Sequence, residues 1–180
     1  YTNITYPFPS KPPVIDDRYN PTSSFRKEFT VPPTFDGKRV RIRFDGVYSA
    51  FWVWVNGKRI GYSEDSKGPA EFDITEALVK GTNLLAVQVY RWCDGSYLED
   101  QDMFRYSGIF RDVTLRAMPN VSVEDIDIKT DLDATYTDAL LNVSVSVNNT
   151  SESASKVRFD TAVYDANGKR VPESLSNSDV

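Results

Sequence analysis

Apolar and polar residues alternate with a period of two in the first half of the chain, and this feature constrains the fold most. Val40, Ile42 and Phe44 alternate with three arginines. Such a period puts the apolar side chains on one face of a β-strand, because successive side chains of a strand point to opposite sides. Residues 51–55 are apolar on both faces and are followed by Asn56-Gly57. Since both residues of that dipeptide tolerate positive φ, the segment predicts a hairpin with a type I′ turn.

The remaining residues before position 118 extend this β pattern. Proline and aromatic residues dominate positions 6–13 and predict an extended strap over a surface, because proline cannot serve a central strand. Further strands are predicted from Phe25 onward, over 84–92 and over 109–115. Residues 73–81 carry the one helical signature, with capping residues at both ends.

A domain boundary is predicted at Met118-Pro119, because aromatic residues become sparse after it. An immunoglobulin-like sandwich needs about seven strands in ~100 residues. The roughly 60 residues that remain suffice for three or four strands. We therefore expect one domain at 1–118 and a partial immunoglobulin-like sandwich at 119–180. The strands predicted in the second domain are 141–147 and 157–163, the latter followed by an Asn167-Gly168 turn.

Charge and residue types exclude several functions. The formal net charge is −5, so nucleic acid is not an expected partner, since affinity for it comes mainly from lysine and arginine. No basic or long apolar run points to a membrane. The chain has no histidine and one cysteine, which excludes an internal disulfide, a Ser–His–Asp triad and every histidine-based metal site. Cys93 is expected to be a buried, unreactive thiol.

The segment from Asp94 to Tyr106 is the most charged and aromatic part of the chain, between two apolar strands. Three interpretations stay open: a solvated acidic loop, a cation site built from carboxylates, and a sugar contact in which carboxylates accept hydroxyl hydrogen bonds and aromatic rings cover the sugar. Glu99 and Asp102 are not expected to be a glycosidase acid–nucleophile pair, because neighbours on one loop rarely reach the opposed geometry that such a pair needs.

Several stretches together resemble the β-galactosidases of glycoside hydrolase family 2, of the bacterial lactose-operon type. The most specific is the string from Arg91 to Met103, Arg-Trp-Cys-Asp-Gly-Ser-Tyr-Leu-Glu-Asp-Gln-Asp-Met. The resemblance is close from Tyr1 to Leu115 and only positional beyond Pro119. The other matching stretches are 1–7, 44–51, 55–57 with 61–62, 65–66 with 71–73, and 107–113.

The resemblance implies an all-β chain: a jelly-roll-like galactose-binding β-sandwich followed by the partial immunoglobulin-like one. In the family, a TIM barrel further along the parent chain carries both catalytic glutamates and the magnesium ligands. The chain is therefore expected to begin inside the first domain, end inside the second and be inactive alone, with no catalytic residue of its own.

Three residues acquire expected roles from the resemblance. Asn3 is expected to contact the galactosyl group, and Asp102 to line the same pocket and bind a sodium ion near the galactose 6-hydroxyl. Asp94 is expected to order the loop or to line the rim of the pocket. Sodium through Asp102 and magnesium in the parent enzyme are the expected cofactors.

The expected partners are a galactoside substrate and the catalytic barrel of the same parent chain, which is expected to be a homo-oligomer. Two alternatives stay open: another family 2 exo-glycosidase, such as a β-glucuronidase, and a free-standing carbohydrate-binding module.

Overall fold

The computed structural model describes residues 6, 8, 9, 11–99, 104–171 and 176–179, which divide between two units, 1–119 and 120–180. These residues form thirteen β-strands, four short 3₁₀ turns and no α-helix, so the predicted all-β class is confirmed. Within the same ranges, no helix has the length and apolar character needed to cross a bilayer. The strands are β1 (Thr22–Thr30), β2 (Arg39–Phe44), β3 (Val47–Tyr48), β4 (Ala50–Val55), β5 (Lys58–Ser63), β6 (Ala70–Asp73), β7 (Thr82–Tyr90), β8 (Gly108–Ile109), β9 (Val113–Met118), β10 (Val121–Leu132), β11 (Ala139–Asn149), β12 (Arg158–Thr161) and β13 (Ser176–Asp179).

Two larger antiparallel sheets and the two-stranded β3–β8 sheet build the described part of the first unit. One sheet has the strand order β1-β7-β4-β5 and the other the order β6-β2-β9. Side chains of β2, β4 and β7 belong to one buried apolar cluster. The ring centroids of Phe44 in β2 and Phe51 in β4 are 4.9 Å apart, and Phe72 of β6 lies 6.0 Å from Phe51. Because side chains of both sheets share one core, the unit is a β-sandwich.

Burial in the first unit follows the alternation in the sequence. The three apolar residues of β2 are at most 3% exposed, whereas its arginines are half-buried. The β4–β5 hairpin turns at Asn56 and Gly57, whose φ angles are 51° and 80°. Both angles are positive, as a type I′ turn requires, so the predicted hairpin is confirmed.

The helix predicted over 73–81 is wrong, because only Thr75–Ala77 forms one 3₁₀ turn. The N-cap of this turn is Ile74 and not Asp73, although the Asp73 carboxylate accepts hydrogen bonds from the backbone N–H and hydroxyl of Thr75 at 2.9 and 2.6 Å. The helix does not continue, since the N–H of Val79 donates to the side chain of Asn83 at 2.8 Å rather than to a carbonyl four residues earlier. A side-chain acceptor thus replaces the helical hydrogen bond.

The single strand predicted over 109–115 is two short strands with different partners. β8 pairs with β3, and β9 pairs with β2. Gly108 adopts a φ of +87°, which favours glycine, and the N–H of Phe110 donates to the carbonyl of Gly46 at 3.2 Å. The chain therefore changes partner between the two segments.

Asn83 joins the hairpin turn to the loop before β7 through its buried side chain, which is 1% exposed. Its Nδ2 donates to the carbonyls of Val79 and Gly81 at 3.0 and 3.1 Å. Its Oδ1 accepts from the N–H of Val79 and from Nδ2 of Asn56, the latter at 2.7 Å. All four hydrogen-bonding positions of the amide are filled, as a buried polar side chain requires.

The second unit contains an amphipathic hairpin. β10 pairs with β11, with an irregularity between Val123 and Asp125. Ile126 and Ile128, which pair with valines of β11, are 55% and 63% exposed. β12 pairs with β13 in a second two-stranded sheet. The immunoglobulin-like character of this region stays a prediction.

Replacing Asn83 by alanine should lower the free energy of unfolding of the first unit by about 2–4 kcal/mol, because backbone groups of Val79 and Gly81 and Nδ2 of Asn56 lose their partner. Denaturant titration followed by tryptophan fluorescence measures this, since all three tryptophans lie in this unit. Ser24→Ala on the exposed strand β1 is the control and should change stability by no more than ~0.5 kcal/mol. Equal stability of the two variants would contradict the role of Asn83.

Candidate functional site

The candidate site is the loop 91–99, which follows the buried strand β7. Its residues 94–97 form a 3₁₀ turn that Cys93 and Ser96 close together. The N–H of Cys93 donates to Oγ of Ser96 at 3.1 Å, and the N–H of Ser96 donates to the carbonyl of Cys93 at 3.0 Å. Ser96 is fully buried. The loop therefore starts with a defined local conformation rather than as a solvated acidic segment.

Two polar side chains from other parts of the chain hold the ends of this loop. The amide of Asn20 pairs with the backbone of Trp92, accepting from its N–H and donating to its carbonyl, both at 2.9 Å. At the other end, the carboxylate of Glu99 accepts from the N–H of Ser66 at 3.0 Å and from the Ser66 hydroxyl. Glu99 is thus engaged in positioning the loop.

The described residues of the proline-rich start contact the loop, as the predicted strap requires, but residues 11–14 form a turn rather than an extended segment. Tyr97 is the main anchor of the strap. The hydroxyl of Tyr6 donates to the carbonyl of Tyr97 at 2.9 Å. The hydroxyl of Tyr97 accepts from the N–H of Lys11 at 3.0 Å and donates to the carbonyl of Val14 at 2.8 Å. Ring contacts of 5.0–5.5 Å between centroids complete the attachment. The rings involved are those of Tyr6, Phe8, Trp92 and Tyr97.

Asp94 lies exposed at the start of the 3₁₀ turn, where its Oδ1 accepts from the N–H of Gly95 at 3.0 Å. Ligand atoms of Glu64, Cys93 and Asp94 all lie within 4.8 Å of one another. Burial raises the pKa of the Cys93 thiol, which keeps it protonated. The two carboxylates are ligands that a hard cation accepts, whereas a protonated thiol is not.

An open groove of about 420 Å³ lies beside Asp94. The rings of Trp52 and Tyr62 are 4.9 Å apart at one side of it. The Tyr62 hydroxyl donates to Glu64 at 2.8 Å, and burial together with this carboxylate raises the pKa of Tyr62. Ring faces next to carboxylates can cover a sugar ring and accept hydroxyl hydrogen bonds. The groove is lined by Pro13, Ile15, Asn20, Ala50, Trp52, Tyr62, Tyr90, Trp92, Cys93 and Asp94.

Of the residues predicted from the sequence, only Asp94 falls within the described ranges, and it lies on the groove. Asn3 and Asp102 lie outside the described residues, so their roles stay predictions. Asn20 and Ser66 were not candidate site residues from the sequence, although Ser66 lies in the matching stretch 65–66. Each lies far along the chain from its partner, 72 and 33 residues away, so no local spacing could have revealed the contact.

Comparison with protein families places the site in a known context. A family model described as "Glycosyl hydrolases family 2, sugar binding domain" matches residues 1–119. The chain is 46% identical to a β-galactosidase of Priestia megaterium over 95% of its own length. It is 45% identical to a β-galactosidase of Pseudoalteromonas haloplanktis over 100% of the chain, and 53% identical to a β-galactosidase of Yersinia pestis over 82% of the chain. The chain spans only 17%, 18% and 14% of these relatives, respectively.

Solved structures show the same fold. A glycosyl hydrolase family 2 member from Bacteroides cellulosilyticus matches 88% of the chain with a TM-score of 0.66 at 25% identity, over 21% of its own chain. A β-glucuronidase of an uncultured Clostridium also matches 88% of the chain, with a TM-score of 0.64 at 25% identity, and the match covers 29% of the β-glucuronidase chain. A putative β-galactosidase from Bacteroides fragilis matches with a TM-score of 0.74 at 24% identity, over 25% of its own chain. At this identity the match shows the fold alone.

The Tyr97→Phe variant keeps the ring contacts and removes only the hydroxyl that holds the strap. Amide hydrogen exchange at Lys11 should become roughly 2- to 10-fold faster, because one hydrogen bond of ~0.5–1.5 kcal/mol is lost. Exchange at Ser96 should not change, since its bond to Cys93 is intact. Tyr19→Phe, at an exposed tyrosine, is the matched control. The same exchange rate at Lys11 in both variants would show that the Tyr97 hydroxyl does not hold the strap.

Proposed function

The chain belongs to the sugar-binding domain family of the family 2 glycosyl hydrolases, and on this premise we propose that it is the non-catalytic, sugar-binding portion of a retaining β-galactosidase. In this proposal the parent enzyme removes terminal β-D-galactose residues. The chain contributes loops to the galactose pocket, and a TIM barrel of the same parent chain supplies the catalytic glutamates and the magnesium ligands.

One observation carries the proposal: the strap and the loop are in direct contact. Tyr6, three residues after Asn3, donates a hydrogen bond to Tyr97 of the loop, and the loop leads to Asp102. Two segments that are remote in sequence are thereby held together at points within five residues, along the chain, of Asn3 and of Asp102. This contact supports one shared pocket for Asn3 and Asp102.

Each proposed residue has a distinct task. The amide of Asn3 can donate to and accept from galactosyl hydroxyls. The carboxylate of Asp102 can accept a hydrogen bond from the 6-hydroxyl while it ligates sodium, a hard cation that takes oxygen ligands. Asp94 is proposed to line the rim. None of these groups transfers a proton or attacks the sugar, so the chain binds and orients while the barrel performs the chemistry.

The acidic residues near the loop and the identity of the relatives both favour galactose over glucuronic acid as the bound sugar. Carboxylate oxygens of Glu64 and Asp94 lie within 4.8 Å of each other, and Asp102 follows the loop in sequence, so a glucuronate carboxylate bound there would meet like charges. The relatives at 45–53% identity are β-galactosidases. We therefore propose a galactoside as the substrate of the parent, which we expect to be a homo-oligomer.

The purified 180-residue chain should not hydrolyse nitrophenyl galactoside. Glu99, one of the loop's acidic residues, is bound to Ser66 and is not free to act as an acid or a nucleophile. Nitrophenol release is the measurement, with the buffer as blank and a full-length β-galactosidase as positive control. A rate that scales with chain concentration and survives repurification would refute the non-catalytic role.

In the full-length parent enzyme, Asp102→Asn keeps the size of the side chain and removes its charge. Sodium affinity should fall, and galactose should lose a charge-assisted hydrogen bond of ~1.5–3 kcal/mol. This corresponds to roughly a 10- to 150-fold loss in kcat/KM, since about 1.36 kcal/mol is tenfold. The measurement is kcat/KM for a galactoside and its 6-deoxy analogue, with and without sodium. The loss should be smaller for the 6-deoxy analogue, which already lacks the contact.

Asp17→Asn, in an exposed 3₁₀ turn, is the matched control. It should leave kcat/KM unchanged for both the galactoside and its 6-deoxy analogue. If Asp102→Asn behaves like this control on both substrates and keeps its sodium response, the proposed role of Asp102 is wrong. Efficient turnover of a glucuronide by the parent would favour the β-glucuronidase alternative instead.

A further inference from the structure

The chain has two exposed Asn-Gly dipeptides in turns, and the structure holds their side chains differently. Asn56-Gly57 closes the β4–β5 hairpin, and Asn167-Gly168 forms a turn in the second unit. Because both asparagines are exposed and both precede glycine, solvent access and the identity of the next residue are matched. The two sites differ in the contacts of the side-chain amide.

The side chain of Asn56 is held by three hydrogen bonds. Its Nδ2 donates to the carbonyl of Ala77 at 2.8 Å and to Oδ1 of Asn83 at 2.7 Å. Its Oδ1 accepts from the N–H of Leu84 at 2.8 Å. These partners lie on the loop before β7 and on β7 itself, so the amide points away from the peptide bond that joins it to Gly57. Rotation towards that peptide would break all three bonds.

Asn167 has no such restraint. Its side chain forms no hydrogen bond with any residue of the described ranges, and only its backbone N–H is engaged, donating to Oδ1 of Asp165 at 2.9 Å. The turn is held through Asp165, which also accepts from the N–H of Lys169 at 2.8 Å. The side chain of Asn167 can therefore rotate over the following peptide without breaking a side-chain hydrogen bond. Attack by the nitrogen of Gly168 requires release of one backbone bond, since its N–H donates to the carbonyl of Asp165 at 2.9 Å.

We propose that Asn167-Gly168 is a site of spontaneous deamidation in the folded chain and that Asn56-Gly57 is protected by its hydrogen bonds. This inference is independent of the proposed function. The nitrogen of Gly168, after losing its proton to hydroxide, attacks Cγ of Asn167. A C–N bond forms, the Cγ–Nδ2 bond breaks, and Nδ2 takes a proton from water and leaves as ammonia, which regenerates hydroxide. Water then opens the cyclic imide at either carbonyl, giving aspartate or isoaspartate.

The glycine makes this reaction accessible because it has no Cβ to shield its nitrogen. The φ of Gly168 is +75°, and a Cβ built there would meet no atom within 4 Å, so the turn is open. The product adds a negative charge beside Asp165. In isoaspartate, an extra methylene also enters the backbone of a turn that is closed by a Tyr164–Arg170 bridge. Deamidation thus modifies this turn of the second unit specifically.

The test is incubation of the purified chain at mildly alkaline pH, followed by peptide mapping with mass spectrometry and enzymatic detection of isoaspartate. In the folded chain, Asn167 should lose its amide at least about tenfold faster than Asn56, since the loss of one or two hydrogen bonds corresponds to roughly tenfold. In denaturant, the two sites should react at similar rates, because the hydrogen bonds of Asn56 are then absent.

Asn167→Ser is the matched variant, and it should abolish the fast-forming acidic species while leaving Asn56 protected. Equal deamidation rates at Asn167 and Asn56 in the folded chain would overturn the inference. Persistence of the rate difference in denaturant would overturn the structural explanation, because the selectivity would then be a property of the local sequence.

Discussion

The packing of two sheets around one set of aromatic and branched side chains is the constraint on which the first unit depends. Phe44, Phe51 and Phe72 meet between the sheets, and each is contributed by a different strand. A close-packed core of this kind fixes the strands relative to one another, because a shift of one residue would turn every buried side chain outward. The loop 91–99 is therefore mounted on a strand, β7, whose position is set by the core.

The rigidity of the candidate site comes from polar contacts added to this core. Asn20 and Glu99 each accept a backbone N–H with one oxygen, and each makes a second hydrogen bond with another atom of its side chain. Such pairs fix both the position and the orientation of a loop. The strap is then held against the loop by the Tyr97 hydroxyl and by the aromatic rings. A binding site shared by two remote segments requires this kind of support, because small displacements weaken every contact to a ligand.

The two units use the same alternating pattern with different results. The apolar residues of β2 are at most 3% exposed, whereas Ile126 and Ile128 of β10 are more than half exposed within the described ranges. The hydrophobic contribution of a strand comes from removal of its apolar area from water, which the pattern alone does not ensure. The first unit therefore owes its stability to its core, in which apolar side chains of β2, β4 and β7 are buried.

The sequence by itself determined the local features. Alternation specified which residues of β2 face inward, and Asn56-Gly57 specified a turn with positive φ, because both depend only on neighbouring residues. The tertiary structure decided the rest. Asn83 ended the predicted helix by accepting the N–H of Val79, and Asn20 reached Trp92 across 72 residues. The sequence could not reveal such contacts, because a hydrogen bond between segments remote in the chain exists only after the core has brought them together.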